Sequence, residues 1–464
     1  MSDSVDTRAE IGLRRIRPYR GCKDSGVGWL GKIPAHWEIH ELRRHLFRQP
    51  ESIKIGPFGS QLKLEFMATQ GFKVYGQEHV IARDFMLGQK YVDQSKFAEL
   101  SACEVMPGDL LVTMMGSTGR CAVVPEEIEP GIMDSHLLRV RLPKGPLDPR
   151  FVALVIDESA YVREQIVAAG KGAIMHGLNS MIIKNLVLAV PPVEEQGRIL
   201  SFADRETAKI DALVAKKERL IELLQEKRTA LITRAVTKGL DPNVPMKNSG
   251  VEWLDRIPAH WEVKRAKDLS QFVTSGSRGW AAYYADDGSL FLRIGNLRAG
   301  AIDLDLTDTQ HVRPPAGAEG DRTRVRGGDV LISITALIGA VGLVPEGIAE
   351  AFVNQHLALV RPRPRGVDSR WLGYCVLSRV GQEQMSADLY GGTKDGLGLD
   401  DIRSLVILLP PHHEQRRIVE ILDGGSRKTD SLIIEIRNGI ERLKEYRTAL
   451  ISAAVTGKID VREA

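Results

Sequence analysis

Two stretches of the chain carry a helical pattern of apolar positions that no proline interrupts, at roughly residues 194–237 and 413–456. Positions alternately three and four residues apart form a seam in each stretch: Ile210, Leu213, Lys217, Leu220, Leu224, Lys227 and Leu231, then Thr429, Leu432, Ile436, Gly439, Leu443, Tyr446 and Leu450. This spacing is typical of a helix that packs along another helix. We therefore expect two helical rods, each roughly 60 Å long at 1.5 Å per residue.

The segments before these helices are rich in glycine, and short runs of β-forming residues alternate there with turn signals. The predicted strands are Leu110–Met114, Leu137–Leu142 and Leu186–Val190 before the first helix, and Val330–Thr335, Leu357–Val360 and Leu405–Leu409 before the second. Such runs indicate a mixed or mostly β domain. A proline pair, Pro191–Pro192 or Pro410–Pro411, ends each domain and provides a rigid entry to the helix.

The sequence is an internal repeat. SGVGWLGKIPAHWE at Ser25 returns as SGVEWLDRIPAHWE at Ser249, and GDLLVTMMGSTGRCAVVPE at Gly108 returns as GDVLISITALIGAVGLVPE at Gly328. PPVEEQGRI returns as PPHHEQRRI, and each long helix ends near the sequence RTALI. The separation between matching motifs falls only from 224 to 219 residues along the chain. One unit of about 220 residues is therefore present twice.

These patterns predict an α/β (mixed) fold: two similar globular domains separated by two long helices packed as an antiparallel coiled coil, with a pseudo-two-fold internal repeat and a dumbbell shape. The predicted boundaries are an N-terminal extension at 1–23, a first domain at 24–190, a first helical spacer at 191–240, a second domain at 241–409 and a second spacer at 410–464. The run Leu13–Arg20 is compatible with an ordered helix, a basic arm or a disordered tail.

Composition excludes several classes of protein. The 464 residues are 43 % hydrophobic and 27 % charged, which is ordinary for a soluble globular protein, and no apolar run approaches the ~18 residues of a membrane span. Four dispersed cysteines argue against a zinc module or a disulfide framework, so we expect a cytoplasmic protein. With 63 basic and 60 acidic side chains, any anion-binding surface must arise from local clustering.

Enzyme signatures fail when the two copies are compared. Residues 26–31 match G-x-G-x-x-G, but the second copy reads GVEWLD, and Pro34 stands where a nucleotide-binding helix should begin. Trp29, Trp37, Trp253 and Trp261 are better interpreted as anchors that pack a loop onto each domain. His36, His260, His136 and His356 recur in both copies without a nucleophile or a carboxylate pair, which favours hydrogen-bonded structural histidines.

The order of these motifs resembles the specificity subunit of type I restriction–modification enzymes, and the resemblance covers nearly the whole chain after about residue 24. It implies two target-recognition domains that each read one half of a split double-stranded DNA site. It also implies helices that set the spacing and dock two methyltransferase subunits, with restriction (motor) subunits in the same assembly. The chain would then carry no catalytic residue, metal or cofactor, since S-adenosylmethionine, ATP and magnesium would belong to the partners.

Readout of bases and phosphates requires polar and basic side chains on glycine-rich loops. Gly56–Lys63 has this composition and resembles a motif of the family, and Thr274–Trp280 occupies a comparable place in the second copy. For each single residue, a solvated loop position is an equal alternative. The candidate DNA contacts are Lys54, Ser60, Gln61, Lys63, Ser117, Thr118, Arg120, Lys171, Ser275, Ser277, Arg278, Asn296, Arg298 and Lys394.

The motif at the start of each long helix offers candidate partner contacts. Glu195 with Gln196, and Glu414 with Gln415, are kept in both copies. The family pattern predicts that these side chains orient the helices or contact partner subunits, and simple helix capping is an equal alternative.

Two other functions stay open on the sequence alone. A duplicated coiled-coil scaffold could bind other proteins without reading DNA. A duplicated enzyme with an unrecognised site is the remaining possibility. The two copies also differ in a turn where specificity should differ: GSTGR at Gly116–Arg120 becomes ALIGA at Ala336–Ala340. A change in DNA reading and sequence drift both explain this difference.

Overall fold

A computed structural model describes residues 17–46, 52–170, 178–276, 278–314, 318–390 and 396–462. The chain divides into two compact units: unit 1 comprises Met1–Ala215 and Gly439–Ala464, and unit 2 comprises Lys216–Asn438. The predictions for Lys171, Ser277, Lys394 and residues 1–16 lie outside the described residues.

Unit 1 begins with short strands and helices. Its strands are β1 (Cys22–Asp24), β2 (Lys32–Pro34), β3 (Glu38–Glu41), β4 (Ile53–Ile55), β5 (Phe72–Tyr75), β6 (Tyr91–Val92), β7 (Glu104–Val105), β8 (Leu110–Thr113), β9 (Cys121–Val123), β10 (Gly131–Met133), β11 (Leu137–Val140) and β12 (Val187–Val190). Its helices are α1 (Gln77–Ala82), α2 (Gln94–Glu99), α3 (Pro149–Glu158), α4 (Ala160–Gly170) and α5 (Ser180–Lys184). The first long helix, α6, follows at Val193–Lys238.

Unit 2 repeats this plan. Its strands are β13 (Met246–Val251), β14 (Leu254–Pro258), β15 (Glu262–Arg265), β16 (Ser270–Ser275), β17 (Tyr284–Ala285), β18 (Ser289–Leu292), β19 (Gln310–Val312), β20 (Val330–Ser333), β21 (Val341–Leu343), β22 (Ala351–Val353), β23 (Leu357–Pro362) and β24 (Val406–Leu409). Its helices are α7 (Ala266–Leu269), α8 (Ala318–Thr323), α9 (Ser369–Leu377), α10 (Arg379–Tyr390) and α11 (Leu399–Ser404). The second long helix, α12, spans His412–Val455.

The central sheets of the two units have matching strand orders, and a second four-stranded sheet matches in three of its strands. One antiparallel sheet runs β4-β11-β8-β9 in unit 1 and β16-β23-β20-β21 in unit 2. The other sheet contains one parallel pair in each unit, β5 with β10 and β18 with β22. The strand before each long helix pairs with an early strand, β12 with β3 and β24 with β15. The repeat seen in the sequence therefore recurs in the strand order of the units.

The central sheet of each unit is buried on both faces. In β8, Leu110 and Val112 face the core that includes the helices, whereas Leu111 faces the second sheet. In β20, Val330 and Ile332 likewise face the core that includes the helices, whereas Leu331 faces the second sheet. Successive side chains of a strand point to opposite faces, so a strand covered on both sides must be apolar throughout. This is why the GDLL and GDVL segments are continuous apolar runs.

Within each unit, one end of α6 packs against the opposite end of α12. In unit 1, Ile199 and Ile210 of α6 share a core with Leu443 and Leu450 of α12. In unit 2, Ile232 and Val236 of α6 share a core with Ile418, Val419 and Leu422 of α12. In each unit, an early part of one long helix therefore shares a core with a late part of the other.

The predicted seam is right at most positions and displaced by one residue at others. Ile210, Leu443 and Leu450 are buried as expected, whereas Leu220, Leu231 and Leu432 are exposed. At the displaced positions the next residue packs instead: Ile221 is half-buried, and Ile232 and Ile433 are buried. A straight helix has 3.6 residues per turn and drifts away from a strict 3.5-residue repeat by about 20° per heptad, which moves the buried face to the neighbouring residue.

The other predictions of local structure are largely confirmed. The long helices begin and end within two residues of the expected bounds, and all six predicted strands are present. Trp37 and Trp261 are fully buried anchors, but the anchor prediction is wrong for Trp29 and Trp253, which are about half exposed. The turn after Gly26 places Leu30 in the core instead. Among the described helices, none combines the length and apolarity needed to cross a bilayer.

Candidate nucleic-acid interface

The start of α6 is fixed by a buried carboxylate. Glu195 accepts hydrogen bonds from His36 Nε2 at 2.7 Å and Trp37 Nε1 at 3.1 Å, and from the hydroxyl of Tyr19. These donors belong to the IPAHW segment and to the residues before it, far from Glu195 in the sequence. Burial, followed by the contact with Glu195, raises the pKa of Tyr19 well above its usual value. The contact ties the N-terminal edge of unit 1 to the beginning of α6.

The start of α12 repeats this arrangement. His260 Nε2 lies 2.7 Å from Glu414 Oε2, and Trp261 Nε1 donates to the same oxygen at 3.2 Å. The structural interpretation of His36 and His260 is confirmed, since each imidazole is bonded to the carboxylate at a helix start. The recurrence of IPAHW in the sequence is thus explained by a histidine–tryptophan pair that holds a glutamate.

The glutamines beside these glutamates fix the chain that precedes each helix. Gln196 Oε1 accepts from Asp148 N at 2.9 Å, and its Nε2 donates to Pro191 O at 2.9 Å. Gln415 does the same with Asp368 N at 2.8 Å and Pro410 O at 2.8 Å. Both amides are buried. One side chain therefore joins the proline entry, the helix and the start of α3 or α9.

The geometry supports the prediction that Glu195, Gln196, Glu414 and Gln415 orient the long helices. Glu195, Gln196 and Gln415 are buried, and the hydrogen bonds described above use their polar atoms inside the fold. Glu414 is the most accessible of the four, with 24 % of its side chain exposed. Direct contact of these residues with a partner subunit stays a prediction.

The arginines of the two RTALI motifs were not predicted as functional residues. Arg228 of α6 pairs with Asp430 of α12 and donates to Gly300 O at 3.0 Å. Arg447 of α12 lies 3.4 Å from Asp211 of α6 and donates to Glu158 at 2.8 Å. Each arginine therefore ties the partner helix to the globular part of its own unit. Repetition of the motif near both helix ends was the available signal.

Three segments of unit 1 meet at one end of the central sheet. Gly56, which begins the loop after β4, donates from its backbone to Leu137 O at 2.9 Å, and Met114 N donates to His136 O at 2.9 Å. A Cβ atom on Gly56 would lie 1.7 Å from Asp134 O, so only glycine allows this approach. The loop 56–63, the turn 114–120 and the turn 134–136 are therefore neighbours.

Unit 2 brings the corresponding segments together. Gly276 N donates to Asn354 O at 3.1 Å, and an added Cβ there would lie 2.0 Å from Val353 O. Ile334 N donates to His356 O at 3.0 Å, and Leu397 N donates to Ile334 O at 2.8 Å. A cavity of about 540 Å³ opens between these segments, and its polar lining includes Ser275, Arg278, Thr335, Gln355 and His356.

Most unit 1 candidates lie on this end of the sheet. Ser60, Gln61 and Lys63 in the first loop and Ser117 and Thr118 in the β8–β9 turn are exposed. Gln61 Oε1 accepts from Phe58 N at 3.1 Å, which shapes the loop, and Lys63 lies 3.5 Å from Glu65. The other two unit 1 candidates are less exposed. Lys54 is half-buried in β4, and Arg120 lies beside a buried carboxylate.

That carboxylate gives Arg120 an internal role. Arg120 Nη1 lies 2.9 Å from Asp157 Oδ1, and Arg83 donates to Asp157 Oδ2 at 3.0 Å. Burial raises the pKa of Asp157 although the two guanidiniums act in the opposite direction. The arginine is still partly exposed, so it stands at the edge of the loop cluster while it neutralises a buried acid.

The unit 2 candidates divide into two groups. Ser275 and Arg278 line the cavity, and no carboxylate among the described residues lies within 4 Å of the exposed Arg278 guanidinium. Asn296 is buried, and its Nδ2 donates to Asp305 O at 2.8 Å and Asp308 O at 3.0 Å. Arg298 pairs with Asp305 at 2.6 Å. Asn296 therefore shapes the loop after β18.

Two carboxylates near these loops differ in electrostatic environment. Burial raises the pKa of Asp134, which receives His136 N at 2.9 Å and so closes the β10–β11 turn. The hydroxyl and backbone N–H of Thr307, followed by Arg298, lower the pKa of Asp305 to about 2. Within the described ranges, no group of three or more histidine, cysteine, aspartate and glutamate side chains could hold a metal ion.

A family model and curated relatives match this chain. Residues 258–442 match the type I restriction modification DNA specificity domain. The putative MjaX specificity subunit of Methanocaldococcus jannaschii is 23 % identical over 446 residues, covering 93 % of this chain and 96 % of that protein. The EcoBI specificity subunit of Escherichia coli is 22 % identical and covers 76 % of this chain and 74 % of that protein.

A solved structure has the same fold. One chain from a study of complex assembly and conformational transition of the type I restriction–modification system superposes with a TM-score of 0.65. It is 19 % identical, and the match covers 92 % of this chain and 99 % of that one. The resemblance inferred from the motifs is confirmed, because residues 258–442 match that family's DNA specificity domain and the curated relatives are type I restriction enzyme specificity subunits.

Proposed function

We propose that this chain is the DNA-specificity subunit of a type I restriction–modification assembly and that it reads an asymmetric bipartite DNA site. Its role is recognition, and the chemistry belongs to other subunits. One observation carries the proposal: both units gather the same segments at the same end of the same sheet but place different side chains there. Equivalent frames with different polar groups are suited to reading two different half-sequences.

The exposed loop residues are the proposed contacts to DNA. Ser60, Gln61, Lys63, Ser117 and Thr118 serve the first half-site, and Ser275 and Arg278 serve the second. Serine, threonine and glutamine side chains can bond to base edges, and basic side chains can bond to guanine or phosphate. Lys171, Ser277 and Lys394 belong to the same proposal. Lys54, Arg120, Asn296 and Arg298 complete the set. The internal contacts of Arg120, Asn296 and Arg298 suit these three to support the loops.

The helices are proposed to be the spacer and the docking surface. The fold that we propose is a pseudo-two-fold repeat in which α6 and α12 form an antiparallel coiled coil between the recognition domains 24–190 and 241–409, with spacers at 191–240 and 410–464. It is supported by the core that an early part of one helix shares with a late part of the other in each unit, and by the repeated arginine–aspartate pairs. Two methyltransferase subunits and restriction subunits would dock there, bringing S-adenosylmethionine, ATP and magnesium. We propose a cytoplasmic location, where such an assembly would meet DNA.

The decisive experiment maps methylated positions across a genome in cells that contain the partner subunits, with and without this chain. We expect a single split motif that is methylated only when the chain is present. A triple substitution in unit 1, Gln61→Ala with Ser117→Ala and Thr118→Ala, should relax one half of the motif. Arg278→Ala should relax the other half, because each good bidentate contact contributes about 1–3 kcal/mol of discrimination.

A matched control separates loss of reading from loss of folding. Lys23→Ala changes an exposed lysine of β1 that is not among the proposed contacts, and it should leave both halves of the motif unchanged. If the triple variant and Arg278→Ala both methylate the same motif as the wild-type chain, the proposed contacts are wrong. Methylation that does not depend on the chain at all would contradict the proposed function.

The alternative is a duplicated scaffold that binds proteins without reading DNA. It predicts stoichiometric partners in the absence of nucleic acid and no preference among duplexes when those partners are bound. Titration of the assembled complex with duplexes of different sequence distinguishes the two functions.

A further inference from the structure

The outer edges of strands β9 and β21 differ between the units, although the strands themselves correspond. In unit 2, Leu343 N donates to Ile302 O at 2.7 Å, and Asp303 forms a parallel bridge with Leu343. The segment 301–304 thus lies along the free edge of β21. Ile302 is buried there in the main core of the unit.

The equivalent edge in unit 1 faces a cavity. Val123 pairs with Leu110 as Leu343 pairs with Val330, and β9 is the last strand of its sheet. The next residue, Val124, bonds inward to Asp109 O, so the N–H of Val123 points outward. A cavity of about 600 Å³ adjoins this edge, and no other described strand pairs with it there.

The arginine that receives the segment in unit 2 is present in unit 1. Arg370 Nη1 donates to Asp303 at 2.7 Å, and its Nη2 donates to Asp423 at 2.8 Å. In unit 1, Arg150 Nη2 donates to Asp204 at 3.0 Å. The Arg150 side chain is 60 % exposed, against 27 % for Arg370. Arg150 therefore offers a donor surface that a second carboxylate can use.

The cavity walls define what fits. Ala153 and Leu200 supply an apolar floor, and Ala153 replaces Gly373, whose Cβ position lies 3.4 Å from Ile302 Cδ1. Ala122 replaces Gly342, where an added Cβ would lie 2.3 Å from Leu304 Cδ2. The site therefore suits an aliphatic residue, then an acidic residue, then a residue smaller than leucine.

The charge around the cavity favours polypeptide over nucleic acid. Asp84, Glu126, Glu127 and Asp204 line it together with Arg83 and Arg150. A DNA backbone would meet four carboxylates, whereas one acidic side chain in an extended segment needs only the exposed face of Arg150.

We propose that the open edge of β9 docks an extended segment of a partner polypeptide, which adds a strand beside Val123 and places a carboxylate on Arg150. Backbone hydrogen bonds would provide affinity, and the cavity would select the side chains. The inference goes beyond DNA reading, since neither Val123 nor Arg150 belongs to the proposed DNA contacts.

The test uses the full chain and a tethered probe. Met86 is exposed and lines the cavity, so Met86→Cys in a Cys22→Ser background gives one accessible attachment point among the described cysteines. The probe is a peptide of sequence Ala-Gly-Ala-Ile-Asp-Ala with a linker that ends in cysteine, joined through a disulfide. A short tether sets an effective concentration of about 1 mM, so even weak docking is detectable.

The readout is hydrogen–deuterium exchange at Val123. We expect the acidic probe to slow exchange about 10-fold, which corresponds to a dissociation constant ten times below the effective concentration. A probe with lysine in place of aspartate, or the acidic probe on Arg150→Gln, should slow it less than about 2-fold. Leu343 is the internal reference, since its N–H is already bonded to Ile302 O.

Two results overturn the proposal. One is equal exchange at Val123 with the aspartate and lysine probes, whether fast or slow. The other is protection of Val123 by a duplex oligonucleotide without the peptide, which would assign the cavity to nucleic acid.

Discussion

The helices that follow the central sheet end differently in the two units. In unit 1, α3 ends with Asp157 and Glu158, and these buried acids meet Arg83, Arg120 and Arg447. In unit 2, α9 ends with the apolar Val376 and Leu377. The same backbone junction is therefore filled by an ion-pair network in one unit and by hydrocarbon in the other.

The comparison changes the interpretation of a sequence difference. Arg120 of unit 1 becomes Ala340 in unit 2, which from sequence alone indicated a change in DNA reading. The structure adds a packing reason, since an arginine is needed where a buried carboxylate must be neutralised. Two similar units can thus differ for internal reasons in the same turn that carries exposed, base-reading candidates such as Ser117.

The largest expected difference between the units is at the helix starts. Glu195 accepts three hydrogen bonds from buried or partly buried donors, whereas Glu414 accepts two and is more exposed. Glu195→Ala should lower the free energy of unfolding by about 3 kcal/mol and Glu414→Ala by about 1–2 kcal/mol, because buried donors lose their acceptor. Chemical denaturation monitored by tryptophan fluorescence measures both.

The matched control for that comparison is Glu194→Ala, which removes an exposed neighbouring carboxylate and should change stability by less than about 0.5 kcal/mol. Equal losses for Glu195→Ala and Glu414→Ala would show that the third donor and the deeper burial contribute nothing.

The corrected helix seam predicts a sharp contrast between adjacent residues. Ile433 is buried and Leu432 is exposed. Ile433→Ala should cost about 2–3 kcal/mol of stability through lost packing and an unfilled cavity. Leu432→Ala should cost less than about 0.5 kcal/mol. Thermal denaturation of the two variants decides the register, and the reverse order would restore the seam expected from the sequence.

The buried acid of unit 1 can be converted toward the unit 2 arrangement. Arg120→Ala should cost about 1–2 kcal/mol by leaving Asp157 with Arg83 alone. The double variant Arg120→Ala with Asp157→Leu should return to within about 1 kcal/mol of the wild type, since apolar groups can replace a buried ion pair. A double variant no more stable than the single one would show that the junction of unit 1 depends on its charges.

The same acid predicts a pH dependence. Because burial raises the pKa of Asp157 in the folded state, its contribution to stability is greatest at low pH and is lost as the pH rises through the raised pKa. Asp157→Asn removes this loss of stability, because an asparagine side chain does not ionise. The stability of the variant relative to the wild type should therefore increase from about pH 4 upward and then level off. Denaturation at a series of pH values checks the sign.

The smallest expected effect concerns phosphate contacts. Lys63→Ala in unit 1 should reduce the slope of log affinity against log salt concentration by about one. Lys23→Ala should leave the slope unchanged. Fluorescence anisotropy with the assembled complex and its duplex target measures both slopes, and an unchanged slope in Lys63→Ala would show that Lys63 contacts no phosphate.

Several elements could be predicted from sequence for a simple physical reason. The long helices, the paired domains and the buried strands depend on periodicity, proline positions and repetition, which are properties of consecutive residues. The candidate loops were found because glycine and polar residues follow predicted strands. Exposed and buried candidates could not be separated, since Asn296 and Ser60 have similar composition around them but opposite environments.

The sequence by itself determined the duplication, the long helices and the resemblance to specificity subunits, because each depends on the order and spacing of residues. Tertiary structure decided which neighbour on a helix is buried, that Glu195 binds Trp37 from 158 residues away, and that Val123 faces a cavity where Leu343 has a partner. Those outcomes depend on groups that are distant along the chain and meet only after folding, so no local pattern encodes them.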